Sequence, residues 1–96
     1  ALVKGDASRT VPAYLKEHPE TLVALAYFDF DLYEPTKVCL KAIEPYLVKG
    51  SIVAFDELNS PEFPGETSAM REVLKGRKLR LERFPFVSYP SYAVVE

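Results

Sequence analysis

Two continuous apolar runs constrain this chain more than any other feature. LVALAYF, Leu22 to Phe28, is followed by Asp29-Phe30-Asp31; SIVAF, from Ser51, is followed by Asp56-Glu57. Both have strand length, and an unbroken apolar strand suits burial on both faces, as in a parallel sheet. Between them, Pro35 is a good first-turn residue for a helix. Cys39 or Leu40, Ile43 and Leu47 recur at helical spacing, and Pro45 and then Lys49-Gly50 close the segment. The pattern is strand, helix, strand.

The rest of the chain extends it. Ala1 to Lys4 reads as the tail of a strand ended by Gly5-Asp6, and Ser8 or Thr10 can cap a short helix through Val11, Tyr14 and Leu15. Pro12 is tolerable only in that helix's first turn. After the second acidic end, LNSPEFPGE is a loop, and Ala69, Met70, Val73 and Leu74 mark a short amphipathic helix stopped at Gly76. KLRLERF alternates as a half-exposed strand does, PFVSYP turns, and SYAVVE is a last strand. Two strands joined without a helix pair antiparallel. The expected fold is α/β: a mostly parallel Rossmann-like sheet with an antiparallel final hairpin, in one domain spanning residues 1–96. Because the chain opens in mid-strand, it reads as a piece of something larger. An exposed first strand would need covering by the missing part or by another copy, a homo-oligomer.

Composition removes several classes of function. At 48% hydrophobic and 27% charged, the chain is expected to fold. A net charge of −2 with no basic block gives nucleic acid no electrostatic footing. No apolar run reaches the ~20 residues of a membrane span. Cys39, the single cysteine, fits a buried position in a reducing, cytoplasmic setting. His18 lies in the polar KEHPE turn as a helix-end residue.

The acidic strand ends carry the chemistry. In open α/β sheets ligands bind beyond the carboxyl ends of the strands, and Asp6, Asp29, Asp31, Asp56 and Glu57 stand at three such ends. If the two central strands are neighbours, about 4.8 Å apart, Asp29 and Asp56 can both reach one hard cation such as Mg²⁺. Singly, any of these acids could instead cap the following helix.

FDFDLYEPTKVCLKAIEPYLVKGSIVAFDE resembles the second half of a class I S-adenosylmethionine-dependent methyltransferase, in particular the macrocin O-methyltransferase group that modifies sugar hydroxyls. The specific match is Asp29-Phe30-Asp31-Leu32-Tyr33-Glu34-Pro35-Thr36 to that group's Asp-x-Asp-Leu-Tyr-Glu-x-Thr motif. The chain departs in having Lys49-Gly50 for Gly-Gly and Asp56-Glu57 for Asp-Asp. The Gly-rich loop and ribose-binding acid of the fold's first half are absent from it. The resemblance implies S-adenosylmethionine as cofactor, with Asp6 and Ala7 at the adenine and Asp29 near the methionine part. It implies Asp29, Asp56 and Glu57 as ligands of a metal that polarises a small-molecule hydroxyl acceptor. Asp29 and Asp31 would be the catalytic pair, with Asp31 and Tyr33 towards the acceptor.

Two other classes compete. Asp29-Phe30-Asp31 also resembles the Asp-x-Asp of Mg²⁺-dependent phosphatases, and more weakly that of glycosyltransferases. The third class is a non-catalytic α/β interaction module whose acids are caps. Residues 61–67, PEFPGET, read either as a lid or as a rigid surface loop, and the aromatics of RFPFVSYPSY as hairpin and core packing.

Overall fold

The computed structural model of the chain describes residues 2–30, 32–56, 65–83 and 91–96. Its elements are α1 (Ala7–Glu17), β1 (Val23–Phe28), α2 (Tyr33–Ile43), a 3₁₀ turn (Glu44–Tyr46), β2 (Leu47–Phe55), α3 (Gly65–Val73), β3 (Leu79–Arg83) and β4 (Ser91–Val95). The sheet order is β1-β2-β4-β3. β1 and β2 are parallel, and β4 is antiparallel to both of its neighbours. Three strands therefore run one way and the last runs against them. This is the expected α/β sheet with its antiparallel closing hairpin.

Strand parity separates two faces. Phe28, Val53, Phe55 and Val95 pack against Leu15 of α1, Cys39, Leu40 and Ile43 of α2, and Leu74 after α3. The Phe28 and Phe55 rings stack with centroids 5.5 Å apart. The opposite parity, Leu25, Tyr27, Ile52, Ala54 and Tyr92, lines an open apolar groove. Leu25 is 65% exposed and Tyr27 56%. The expectation that the first run is buried on both faces is thus corrected: among the described residues one face is covered. The reason is topological, since right-handed crossovers that advance across a sheet in one direction place their helices on the same side.

Several boundaries also differ from expectation. Residues 2–4 form no strand, there being no described neighbour to complete a ladder. Asp6, not Ser8 or Thr10, caps α1: its carboxylate accepts the Ser8 N–H at 2.9 Å, and its carbonyl accepts those of Arg9 and Thr10. That early start moves Pro12 into the second turn, where its missing N–H falls opposite the Ser8 carbonyl. Leu47 does not continue the face of α2. Pro45 converts the helix end to a 3₁₀ turn, and Leu47 opens β2 as a buried strand residue.

β2 begins before Ser51 because the ladder tolerates an arch. Val23 pairs with Leu47 but Leu25 pairs with Ile52. Gly50, at φ +91°, turns the arch, and buried Ser51 closes it: its hydroxyl donates to the Val23 carbonyl at 2.6 Å and accepts the Val48 N–H at 2.8 Å. Among the described residues no helix is long and apolar enough to cross a membrane.

Candidate functional site

The carboxyl ends of β1 and β2 lie side by side. Phe28 pairs with Phe55, and the Asp56 N–H donates to the Phe28 carbonyl at 2.9 Å, carrying the ladder one step past the strands. Asp29 and Asp56 therefore leave the sheet at adjacent positions, at the spacing of neighbouring strands. Asp29 is exposed and Asp56 half-buried. The Tyr27 hydroxyl donates to Asp56 Oδ1 at 2.9 Å. Tyr27 pairs with Ala54, so Asp56 is its diagonal neighbour of like parity. The sequence analysis did not single out Tyr27; a hydroxyl-bearing aromatic two residues before the strand-end acid was the available signal. Asp31 and Glu57 lie outside the described residues, as do residues 61–64 of the 61–67 lid expectation, whose last three residues open α3, and 84–90 of the hairpin stretch, whose Tyr92 lies in β4 and donates its hydroxyl to Glu82.

The rest of the motif builds the helix that follows β1. Thr36, fully buried, donates its hydroxyl to the Leu32 carbonyl at 2.7 Å, anchoring the first turn of α2 where Leu32 provides no side-chain cap. The Tyr33 hydroxyl, expected to face an acceptor, donates to Glu72 of α3 at 2.6 Å. Lys37 reaches the same carboxylate at 3.3 Å and sits 5.3 Å from the Tyr33 ring centroid. The hydrogen bond from Tyr33, and then the lysine, hold Glu72 below the ordinary carboxylate range. At the other end of α3, a Cβ on Gly65 would stand 2.5 Å from the Tyr33 nitrogen and 2.9 Å from the Leu32 carbonyl carbon. Only glycine lets the two helix starts approach so closely. A glycine opening a poor helix start was a signal that the sequence analysis left unread.

Asp6 and Ala7 stand apart from this pair of strand ends in the chain, at the head of α1. The Ala7 carbonyl lies 3.5 Å from Cys39 Sγ, which joins the start of α1 to α2. Burial, and then the Asp6 charge, push the Cys39 thiol up, so this cysteine is an unreactive core residue. His18 caps the end of α1, its ring 4.4 Å from that of Tyr14.

A hard cation takes oxygen ligands, and Asp29 and Asp56 are the described acids at these two strand ends. Among the described residues no group of three or more His, Cys, Asp or Glu is gathered to hold a metal. Of the residues expected at the cofactor, Asp6 is exposed as the cap of α1, with Ala7 opening that helix.

No protein-family profile and no curated protein matches the chain. Solved structures do. An apo structure of CalS11, a TDP-rhamnose 3'-O-methyltransferase of calicheamicin biosynthesis, is 58% identical over 97% of this chain, with a TM-score of 0.85. A second CalS11 structure, titled a calicheamicin methyltransferase, is 57% identical over 97%, with a TM-score of 0.84. The chain spans 40% and 36% of those two chains, about two-fifths of their length. The resemblance read from the acidic motif thus extends over almost all of this chain, which is similar in sequence and fold to part of a sugar O-methyltransferase of the class I kind.

Proposed function

We infer that the chain is part of an S-adenosylmethionine-dependent methyltransferase acting on the hydroxyl of a sugar or another small molecule. One observation carries this reading. Asp29 and Asp56 follow the carboxyl ends of adjacent parallel strands, in a chain 58% identical to a sugar 3'-O-methyltransferase. In this reading residues 1–96 are a piece of a larger methyltransferase domain. Activity belongs to a protein that also carries the Gly-rich loop and ribose-binding acid.

When bound, the cofactor supplies a methyl group on a positively charged sulfur, and Mg²⁺ lowers the pKa of a hydroxyl beside it. The residues of this chain supply charge and position. Asp29, Asp56 and Glu57 are the acids that would hold the cation, and Asp6 and Ala7 would meet the adenine. Asp29 and Asp31 would be the acids that orient the acceptor hydroxyl, with Tyr33 beside them. Much of the acceleration comes from holding oxygen and methyl carbon in line. The acceptor is a small-molecule hydroxyl, met in the cytoplasm.

The test is a thermal-shift titration of the full-length gene product with S-adenosylhomocysteine and Mg²⁺, separately and together. Stabilisation by the nucleoside, with or without a further gain from Mg²⁺, supports the methyltransferase. A shift with Mg²⁺ alone, and none with saturating nucleoside, overturns it in favour of an Asp-x-Asp phosphatase or glycosyltransferase. No response to either overturns it in favour of an interaction module.

A further inference from the structure

The helix-free face of the sheet is apolar across three strands and charged on the fourth. Leu25 and Tyr27 of β1, Ile52 and Ala54 of β2, and Tyr92 of β4 form its floor. On β3 the residues of the same parity are Arg80 and Glu82, paired with Val94 and Tyr92 and joined to each other at 3.4 Å. Strands about 4.8 Å apart make this floor roughly 10 Å wide, close to the 10–12 Å diameter of one helix. The two floor tyrosines turn their polar tips to the margin: Tyr27 donates to Asp56 at 2.9 Å and Tyr92 to Glu82 at 2.6 Å. Covering their rings therefore orphans neither hydroxyl.

The two outer edges differ in the same sense. β3 carries Arg80, Glu82 and Arg83, the charges that keep an edge strand from pairing further. β1, VALAYF, carries none, and its outer edge has no strand neighbour among the described residues. Handedness says what lies beyond it. α1 packs on the same face as α2, so a right-handed crossover through α1 into β1 starts from a parallel strand on the far side of β1. Crossovers that advance away from β1 on that side put their helices on the opposite, open face. The chain spans 40% of the CalS11 chain it matches, which leaves ample length for both elements. We propose that the open face and the free edge of β1 are the docking surface for the remainder of a longer chain. That remainder continues the sheet beyond β1 and lays one amphipathic helix over Leu25, Tyr27 and Ile52. The proposal rests on residues 1–96 being a piece of a larger methyltransferase domain.

Thiol labelling of Leu25→Cys and Ile52→Cys in the full-length gene product tests it, read by peptide mass at those positions. S-adenosylhomocysteine binding and the molar mass in solution are measured on the same samples. Leu81→Cys is the accessible control, since Leu81 on the β3 edge is 50% exposed. The expected native rate at positions 25 and 52 is at least about a thousandfold below the rate in urea, because a covered site reacts only on opening. The protection persists in monomers, and the control reacts promptly. Loss of folding in Leu25→Cys supports the proposal as well, because an uncovered surface position tolerates substitution. Prompt labelling at position 25 in a folded protein that binds the nucleoside overturns the docking surface and leaves the methyltransferase standing. Protection that disappears on dilution to monomers overturns it too, since a second copy is then the cover. Protection without nucleoside binding supports the docking surface and overturns the methyltransferase. Prompt labelling without nucleoside binding overturns both.

Discussion

Replacing Ser51 with alanine isolates the arch that lets β2 start at Leu47. The hydroxyl makes two bonds, donating to the Val23 carbonyl at 2.6 Å and accepting the Val48 N–H at 2.8 Å, and Ser51 is 1% exposed. A neutral hydrogen bond nets about 0.5–1.5 kcal/mol, whereas leaving a buried partner unsatisfied costs about 1–3 kcal/mol. The two orphans are not equivalent. Val23 is half-buried and its carbonyl loses its partner at the foot of the ladder, whereas Val48 is 43% exposed and its N–H can turn to water. The loss is therefore set by the Val23 carbonyl, roughly 2 kcal/mol in all. With a urea m-value of about 1–3 kcal/mol per molar, the midpoint of the full-length gene product falls by roughly 1 M. Amide exchange at Val48 supplies the local readout, since its protection depends on the serine oxygen. A change under about 0.5 kcal/mol, the size of an ordinary surface substitution, with Val48 still protected, would refute the reasoning and leave the arch to Gly50 alone.

Three further outcomes follow from particular contacts. Gly65→Ala puts a methyl 2.5 Å from the Tyr33 nitrogen, so the starts of α2 and α3 must part. The expected cost is about 1–3 kcal/mol by urea unfolding, and a neutral substitution would show that these helix starts are not in contact. Glu72 is held below its ordinary value of 4.5, so its contribution is fully present above pH 4.5 and is lost as pH falls through the lowered value. The stability difference between the parent and Glu72→Gln should therefore be flat near neutrality and vanish in acid, and a difference that grows in acid would contradict the sign. Cys39, 2% exposed with its thiol pushed up, should react with a thiol reagent at pH 8 only on unfolding. Stoichiometric labelling of the native protein would place it elsewhere.

The local patterns were legible in the sequence wherever short-range physics decides. Two apolar runs became adjacent parallel strands, their acidic ends came together, and the closing pair folded back antiparallel. Boundaries were read less well where two local rules competed. At Asp6 a side chain two residues ahead of the candidate serine took the cap, and at Pro45 the same proline both ended α2 and aimed Leu47 into the sheet. The arch at 48–51 was unreadable, because a register shift is a relation between two strands.

What the sequence alone determined is therefore the order of elements, the α/β class and the acids at the ends of β1 and β2. Each follows from apolar periodicity and turn chemistry within a few residues. Tertiary structure decided which groups those acids meet. Tyr27 reaches Asp56 across 29 residues of chain, Tyr33 reaches Glu72 across 39, and Gly65 touches the backbone at Leu32 and Tyr33. Such contacts exist only once register and helix docking are set, and among the described residues the helices cover one face of the sheet. Crossover handedness, not composition, chose the side on which the helices lie.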